Sequence, residues 1–261
     1  MATKGKVAEQ LTEEFKPVKT ILVSQPKPER SPYFELEQKY RLTIDWRPFI
    51  HVEAVSVKDF RKNRIRPDDF TAVIFTSRNA IEHYFRMCDE MRISVSQEMK
   101  YFCLSSAIAV YLQKFIVYRK RKVFVGQRTI EDLKPTLLKH RDKEKFLLPC
   151  SNLGSKEVST FLDENAFDWR DAMMYQTVSS DLSDLSDVTY DILVFFSPLG
   201  IQSLYENFPD FKQNDTRIAV FGNSTRDAVI ERGLFINIQA PTPEVPSMTM
   251  ALEQYLQRSN K

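Results

Sequence analysis

Tyr175, in the stretch DAMMYQTV, is the side chain whose type and setting point to proton chemistry. A phenol on a segment linking two folded parts can donate a proton or orient a leaving hydroxyl. The same residue also reads as a ladder aromatic packing across strands. Elsewhere, small hydroxyl and amide residues gather where an apolar, strand-like run stops and a helical pattern starts. They are Thr76, Ser77 and Asn79; Ser105 and Ser106; Ser151, Asn152 and Ser155; Ser197 before Pro198; and Gly222, Asn223, Ser224 and Thr225. Taken singly, each reads as a helix N-cap, worth about 1 kcal/mol. Taken as a set, they furnish amide-rich helix starts that bind anions. Ser224 and Asp227 have the spacing of a capping box.

The elements that must position these residues occur twice. Ala72 to Tyr84 reads AVIFTSRNAIEHY, and Ile192 to Tyr205 reads ILVFFSPLGIQSLY, so Ser77 recurs as Ser197, 120 residues on. A second strand and helix follow each copy, with Ser105 and Gly222 at an offset of 117, and Val123–Val125 matches Ile236–Ile238 at 113. Strands alternating with helices through short loops imply parallel sheets covered on both faces. The first copy ends on a strand, KFLLP (145–149), that the second lacks, and KTILVS (19–24) near the N-terminus supplies it. The fold class expected is therefore α/β, with two parallel-sheet domains, one of them discontinuous. The discontinuous domain is placed at 18–45 plus 180–261 and the inserted one at 52–172. Extended crossovers are placed at 46–51 and 173–179, and a polar tail at 1–17. In such sheets the strand-to-helix turns share one edge, so the expectation is a ligand held between the two copies.

Other chemistries are disfavoured. The six glycines (5, 126, 154, 200, 222 and 233) permit neither GxGxxG nor a P-loop. His51, His83 and His140 stand apart in sequence and read as structural or surface residues, and no ligand spacing implies a metal. Cys88, Cys103 and Cys150 form no pair pattern and suggest a reducing compartment. Asp181, Asp184, Asp187 and Asp191 read as a solvated connector, and the basic runs 61–66 and 119–122 as solvated faces. A net charge of +2 gives no bulk attraction for nucleic acid. No apolar h-region or membrane-length run is found, so a cytoplasmic protein without a membrane partner is expected. Hydrophobic residues at 43% and charged residues at 28% suffice for two cores.

The motifs FTSRNAI, FFSPLG, GNSTRDAVIERGL, APTPEVPSMTMAL, and LPCSNL followed by MYQTV, in this order over Val18 to Leu256, resemble uroporphyrinogen-III synthase. The resemblance implies two flavodoxin-like domains joined by a two-stranded ladder. It also implies a cofactor-free hydro-lyase of tetrapyrrole biosynthesis, expected as a monomer, whose only partner is its tetrapyrrole substrate. That substrate is hydroxymethylbilane, cyclised with inversion of the terminal ring to uroporphyrinogen III. Tyr175 matches the tyrosine proposed as proton donor to the departing hydroxyl, and Ser197 and Thr225 match positions facing the substrate. Two departures stand out: CLSSAI lacks the family's glycine and threonine, with Ile108 in place of the expected hydroxyl so that Ser105 and Ser106 must do that work, and LPCSNLG carries an unusual cysteine. These departures motivate the alternative of a non-catalytic module that binds a carboxylate-rich ligand.

Overall fold

Short apolar runs that stop at Ser, Gly or Asx residues set the element boundaries in the computed structural model, which describes residues 15–261. The first half holds β1 (Thr20–Val23), α1 (Tyr33–Tyr40), β2 (Thr43–Trp46), β3 (Ile50–Ala54), α2 (Val57–Lys62), β4 (Ala72–Phe75), α3 (Arg78–Glu90), β5 (Lys100–Cys103), α4 (Ser106–Leu112) and β6 (Val123–Val125). There follow α5 (Ile130–His140), β7 (Phe146–Cys150), α6 (Lys156–Glu164), β8 (Trp169–Met173), β9 (Tyr175–Ser179), β10 (Ile192–Phe195), α7 (Pro198–Asn207), β11 (Arg217–Phe221), α8 (Asn223–Glu231), β12 (Ile238–Ala240) and α9 (Met248–Ser259). The chain divides into two units. A split unit runs up to His51 and resumes at Ser179, and an inserted unit spans Val52–Val178.

The split unit carries a five-stranded sheet in the order β12-β11-β10-β1-β2, and the inserted unit one in the order β6-β5-β4-β7-β8. All the pairings given for these two sheets are parallel. The orders correspond strand for strand: β1, the first strand of the chain, pairs with β10 as β7 pairs with β4. The central strands β4 and β10 are buried along their whole length, as strands covered on both faces must be. Two apolar clusters flank each sheet. A separate two-stranded antiparallel ladder pairs β3 with β9.

Local differences from the sequence expectation have identifiable causes. The first segment of the discontinuous domain ends on an edge strand, β2, whose Thr43–Trp46 pairs in register with Thr20–Val23 and reaches one residue into the crossover placed at 46–51. Its alternation is that of an edge strand: Leu42 and Ile44 are buried, Thr43 and Asp45 exposed. The matched strand expected at Ile236–Ile238 starts only at Ile238. The Gln213 side-chain amide takes both the N–H (2.7 Å) and the C=O (2.8 Å) of Phe235, removing it from the ladder. The capping box expected at Ser224 and Asp227 does not form, because the N-cap is Gly222 and Asp227 pairs with Arg226 at 2.7 Å. A carboxylate cap is found instead at α5, where Asp132 Oδ2 accepts the N–H groups of Gln127, Arg128 and Thr129 at 3.2, 2.9 and 3.0 Å. Of the expected polar tail, residues 1–14 lie outside the described residues. Phe15 rests on Tyr255, with ring centroids 5.3 Å apart.

Candidate functional site

In the inserted unit the carboxyl ends of β4, β5 and β7 share one sheet edge, because the strands are parallel. Ser77 ends β4 and caps α3, its Oγ accepting the Ala80 N–H at 3.0 Å. Thr76 and Asn79 lie half-buried on either side of it. Ser105 caps α4 with Oγ accepting the Ile108 N–H at 3.4 Å, and Ser106 is exposed beside it. Ser151 Oγ accepts the Leu153 N–H at 3.2 Å and shapes the turn after β7.

Tyr175 is brought to this edge by the ladder strand β9, and its surroundings hold it at four points. Its Oη lies 3.1 Å from Ser77 Oγ. Its ring stacks on His83 with centroids 4.9 Å apart and planes inclined by 16°. Just before it, the Met174 C=O accepts from Arg86 Nη2 at 3.1 Å, and the Met174 N–H donates to the Cys150 C=O at 3.1 Å. Two residues after it, the Asn152 amide spans the Thr177 backbone, accepting its N–H at 2.9 Å and donating to its C=O at 3.1 Å. The Asn152 amide, expected to bind substrate, in this way holds the strand that carries Tyr175.

Tyr175 is 7% exposed. Burial raises its phenol above the ordinary tyrosine range, partly offset by the hydrogen bond with Ser77, with a further rise from nearby Cys150. The phenol is therefore protonated at neutral pH and able to give a proton. The Cys150 thiol is itself pushed up to about 11 by burial, and so is neutral. Burial also lowers His83, and the adjacent Arg86 charge lowers it further. His83 and Arg86 were missed by reasoning on motifs. Their three-residue spacing in AIEHYFRM puts them on one helical face, and only the fold shows that this face meets Tyr175.

In the split unit, Ser197 caps α7, its Oγ accepting the Gly200 N–H at 3.3 Å, with Pro198 at the first helical position. Gly222 starts α8 at φ +87°, where a side chain is strained, and open space lies where a Cβ would stand. Asn223 and Ser224 are exposed at the first turn of that helix. Thr225, in the same turn, is 0% exposed, and its buried Oγ1 has no hydrogen-bond partner among the described residues. Each unit thus collects its own set of hydroxyl and amide groups at helix starts. Among the described residues there is no group of three or more His, Cys, Asp or Glu side chains able to hold a metal ion, and no helix is long and apolar enough to cross a membrane.

A family model described as Uroporphyrinogen-III synthase HemD matches residues 37–250. A curated relative from Chlorobaculum parvum, named uroporphyrinogen-III synthase, is 22% identical over 257 residues, covering 92% of this chain and all of the relative. The crystal structure of uroporphyrinogen-III synthetase from Helicobacter pylori 26695 shares the fold, with a TM-score of 0.57 at 18% identity over 92% of this chain and 99% of that one. A mutant uroporphyrinogen III synthase from Thermus thermophilus gives a TM-score of 0.54 at 16% identity, with coverage of 92% and 99%. With the family model spanning most of the chain, the chain belongs to the uroporphyrinogen-III synthase family.

Proposed function

We propose that this protein is a hydro-lyase that cyclises hydroxymethylbilane to uroporphyrinogen III, and that Tyr175 donates the proton with which the hydroxyl leaves as water. The observation that carries this reading is a buried, protonated phenol whose oxygen sits 3.1 Å from a serine capping a helix start. Ser77 Oγ already accepts the Ala80 N–H. If its own O–H points at Tyr175 Oη, the phenolic proton is left for the substrate.

As the C–O bond breaks, the phenol proton passes to the departing oxygen and an azafulvene cation remains. That cation attacks the substituted carbon of the terminal ring, and the spiro intermediate reopens and recloses with the ring inverted. The phenolate left on Tyr175 is stabilised by the Ser77 O–H beside the α3 start and recovers a proton released from carbon as the macrocycle forms. One water is lost overall.

Acetate and propionate groups on every ring of the substrate need many donors. Thr76, Asn79, Ser105, Ser106 and Ser151 in the inserted unit, and Ser197, Gly222, Ser224 and Thr225 in the split unit, are the groups assigned to them, with their helix-start amides. Holding the chain in a fixed curvature is what steers closure away from the symmetric isomer. Enzymatically generated hydroxymethylbilane, followed by oxidation and separation of the porphyrin isomers, tests the reading: isomer III is expected. Isomer I alone, or thermal stabilisation by the substrate without turnover, overturns it.

A further inference from the structure

We propose that His83 is a positioning residue for Tyr175, presenting an uncharged imidazole as a flat cover to the phenol, and that Arg86 fixes both its tautomer and the strand that carries the tyrosine. This rests on the reading of Tyr175 as proton donor.

The geometry starts from α3. Ser77 at its N-cap, His83 and Arg86 lie at positions that bring all three side chains to Tyr175 or to the residue before it. Arg86 Nε–H donates to His83 Nδ1 at 3.3 Å. A guanidinium has donors only, so Nδ1 must be the acceptor and the ring proton sits on Nε2. The guanidinium is itself held in place. Nη2 donates to the carbonyls of Val55 (2.9 Å) and Met174 (3.1 Å), which flank the ladder, and Nη1 pairs with Glu90 Oε1 at 2.8 Å. One side chain therefore ties the ladder to α3, sets the tautomer of the ring that covers Tyr175 and adds its charge to burial in keeping that ring neutral.

That charge state has a chemical consequence. An imidazolium stacked 4.9 Å from the phenol would favour the phenolate, and a phenolate has no proton to give. The groups facing His83 are Arg86, Glu82 and Glu90 on its own helix and Tyr175 on β9. Burial and the Arg86 charge oppose the imidazolium, and the two glutamates favour it. Facing Tyr175 are Ser77, His83 and the neutral Cys150 thiol on β7. The network thus keeps the donor protonated and covered, while among the described residues Ser77 addresses its oxygen.

Two measurements test this. Long-range proton–nitrogen NMR of the imidazole rings reads the tautomer without any turnover. With three histidines in the chain, His83→Phe assigns the signal. The Nε2–H tautomer is expected for His83 at neutral pH, with protonation only below the ordinary histidine value of about 6.5. A His83 ring titrating at or above that value overturns the proposal.

The second measurement is the pH profile of kcat. His83→Ala lets water onto the phenol, so the alkaline limb moves toward the ordinary tyrosine pKa of about 10 and kcat falls on the order of tenfold, while His83→Phe keeps the cover and restores both. Arg86→Met removes the donor to Nδ1 and adds an acid limb that His83→Phe/Arg86→Met lacks; circular dichroism and melting curves verify that each variant is folded. If Tyr175→Phe keeps full turnover, both this proposal and the donor assignment fall. If Tyr175→Phe is impaired but the His83→Ala profile matches wild type, this proposal alone falls.

Discussion

At the scale of single residues, buried hydroxyl groups carry the most chemistry. Tyr175→Phe deletes one oxygen from a ring packed on His83, so the fold is expected to persist while kcat drops by roughly 10²- to 10⁴-fold, the usual worth of a positioned acid. Single-turnover kinetics with a melting curve on the same sample separates the two effects. Thr225 presents a different balance. Its Oγ1 is buried with no partner among the described residues, which costs about 1–3 kcal/mol in a folded protein. Thr225→Val keeps the shape and removes that cost. The variant is expected to melt higher and, on the proposal that Thr225 contacts substrate, to show a raised KM. An unchanged KM would remove Thr225 from the substrate contacts.

At the scale of elements, helix starts are stabilised by two distinct devices. Serine caps at α3, α4, α7 and α9 each satisfy one N–H with a neutral hydroxyl. At α5 one carboxylate, Asp132, takes three N–H groups, and those bonds, led by that from Thr129, hold its pKa below the ordinary aspartate value. A depressed folded-state pKa stabilises the protein above the unfolded value of about 3.9, and the contribution is lost as pH falls through the folded value. Asp132→Asn is therefore expected to melt lower than wild type at pH 7. The gap should close as pH drops below about 4, which a series of thermal melts from pH 7 to 3 measures. The ladder strand β9 is an element of another kind: side chains from the inserted unit hold its backbone on either side of Tyr175, Arg86 at the preceding Met174 and Asn152 at Thr177.

At the scale of the whole chain, the duplicated design is filled unequally. In the inserted unit the segment leading into β4 folds as α2 and contributes Phe60, Ile65 and Phe70 to the cluster against Val73 and Leu147. The corresponding connector of the split unit contributes Leu182, fully buried, and Leu185, partly buried, against Leu22 and Leu193. A cavity of about 630 Å³ remains there, lined by Leu22, Phe49, Leu185, Leu193, Leu204 and Phe208 among others. Phe60→Ala is expected to cost about 3–5 kcal/mol, because a fully buried ring leaves a void in a packed core. Leu185→Ala is expected to cost under about 1 kcal/mol, because its side chain already borders open space. Denaturant titration of both variants tests the contrast, and equal losses would contradict it.

The duplication, the parallel α/β class and the return of the first strand beside β10 were legible in the sequence, because buried strands and capped helices leave local signals of period, composition and spacing. The hydroxyl groups at the helix starts were legible for the same reason: capping is decided within four residues. What the tertiary structure alone decided is the setting of Tyr175. Ser77 lies 98 residues from it in the chain, and His83 and Arg86 lie about as far, so no local pattern could connect them. His83 read as an isolated histidine, and Asn152 as a ligand for substrate. Packing of α3 against β9 makes the first the cover of a phenol, and the turn after β7 makes the second a clamp on its strand. Side-chain types follow from sequence, but their partners follow from which faces the fold brings together.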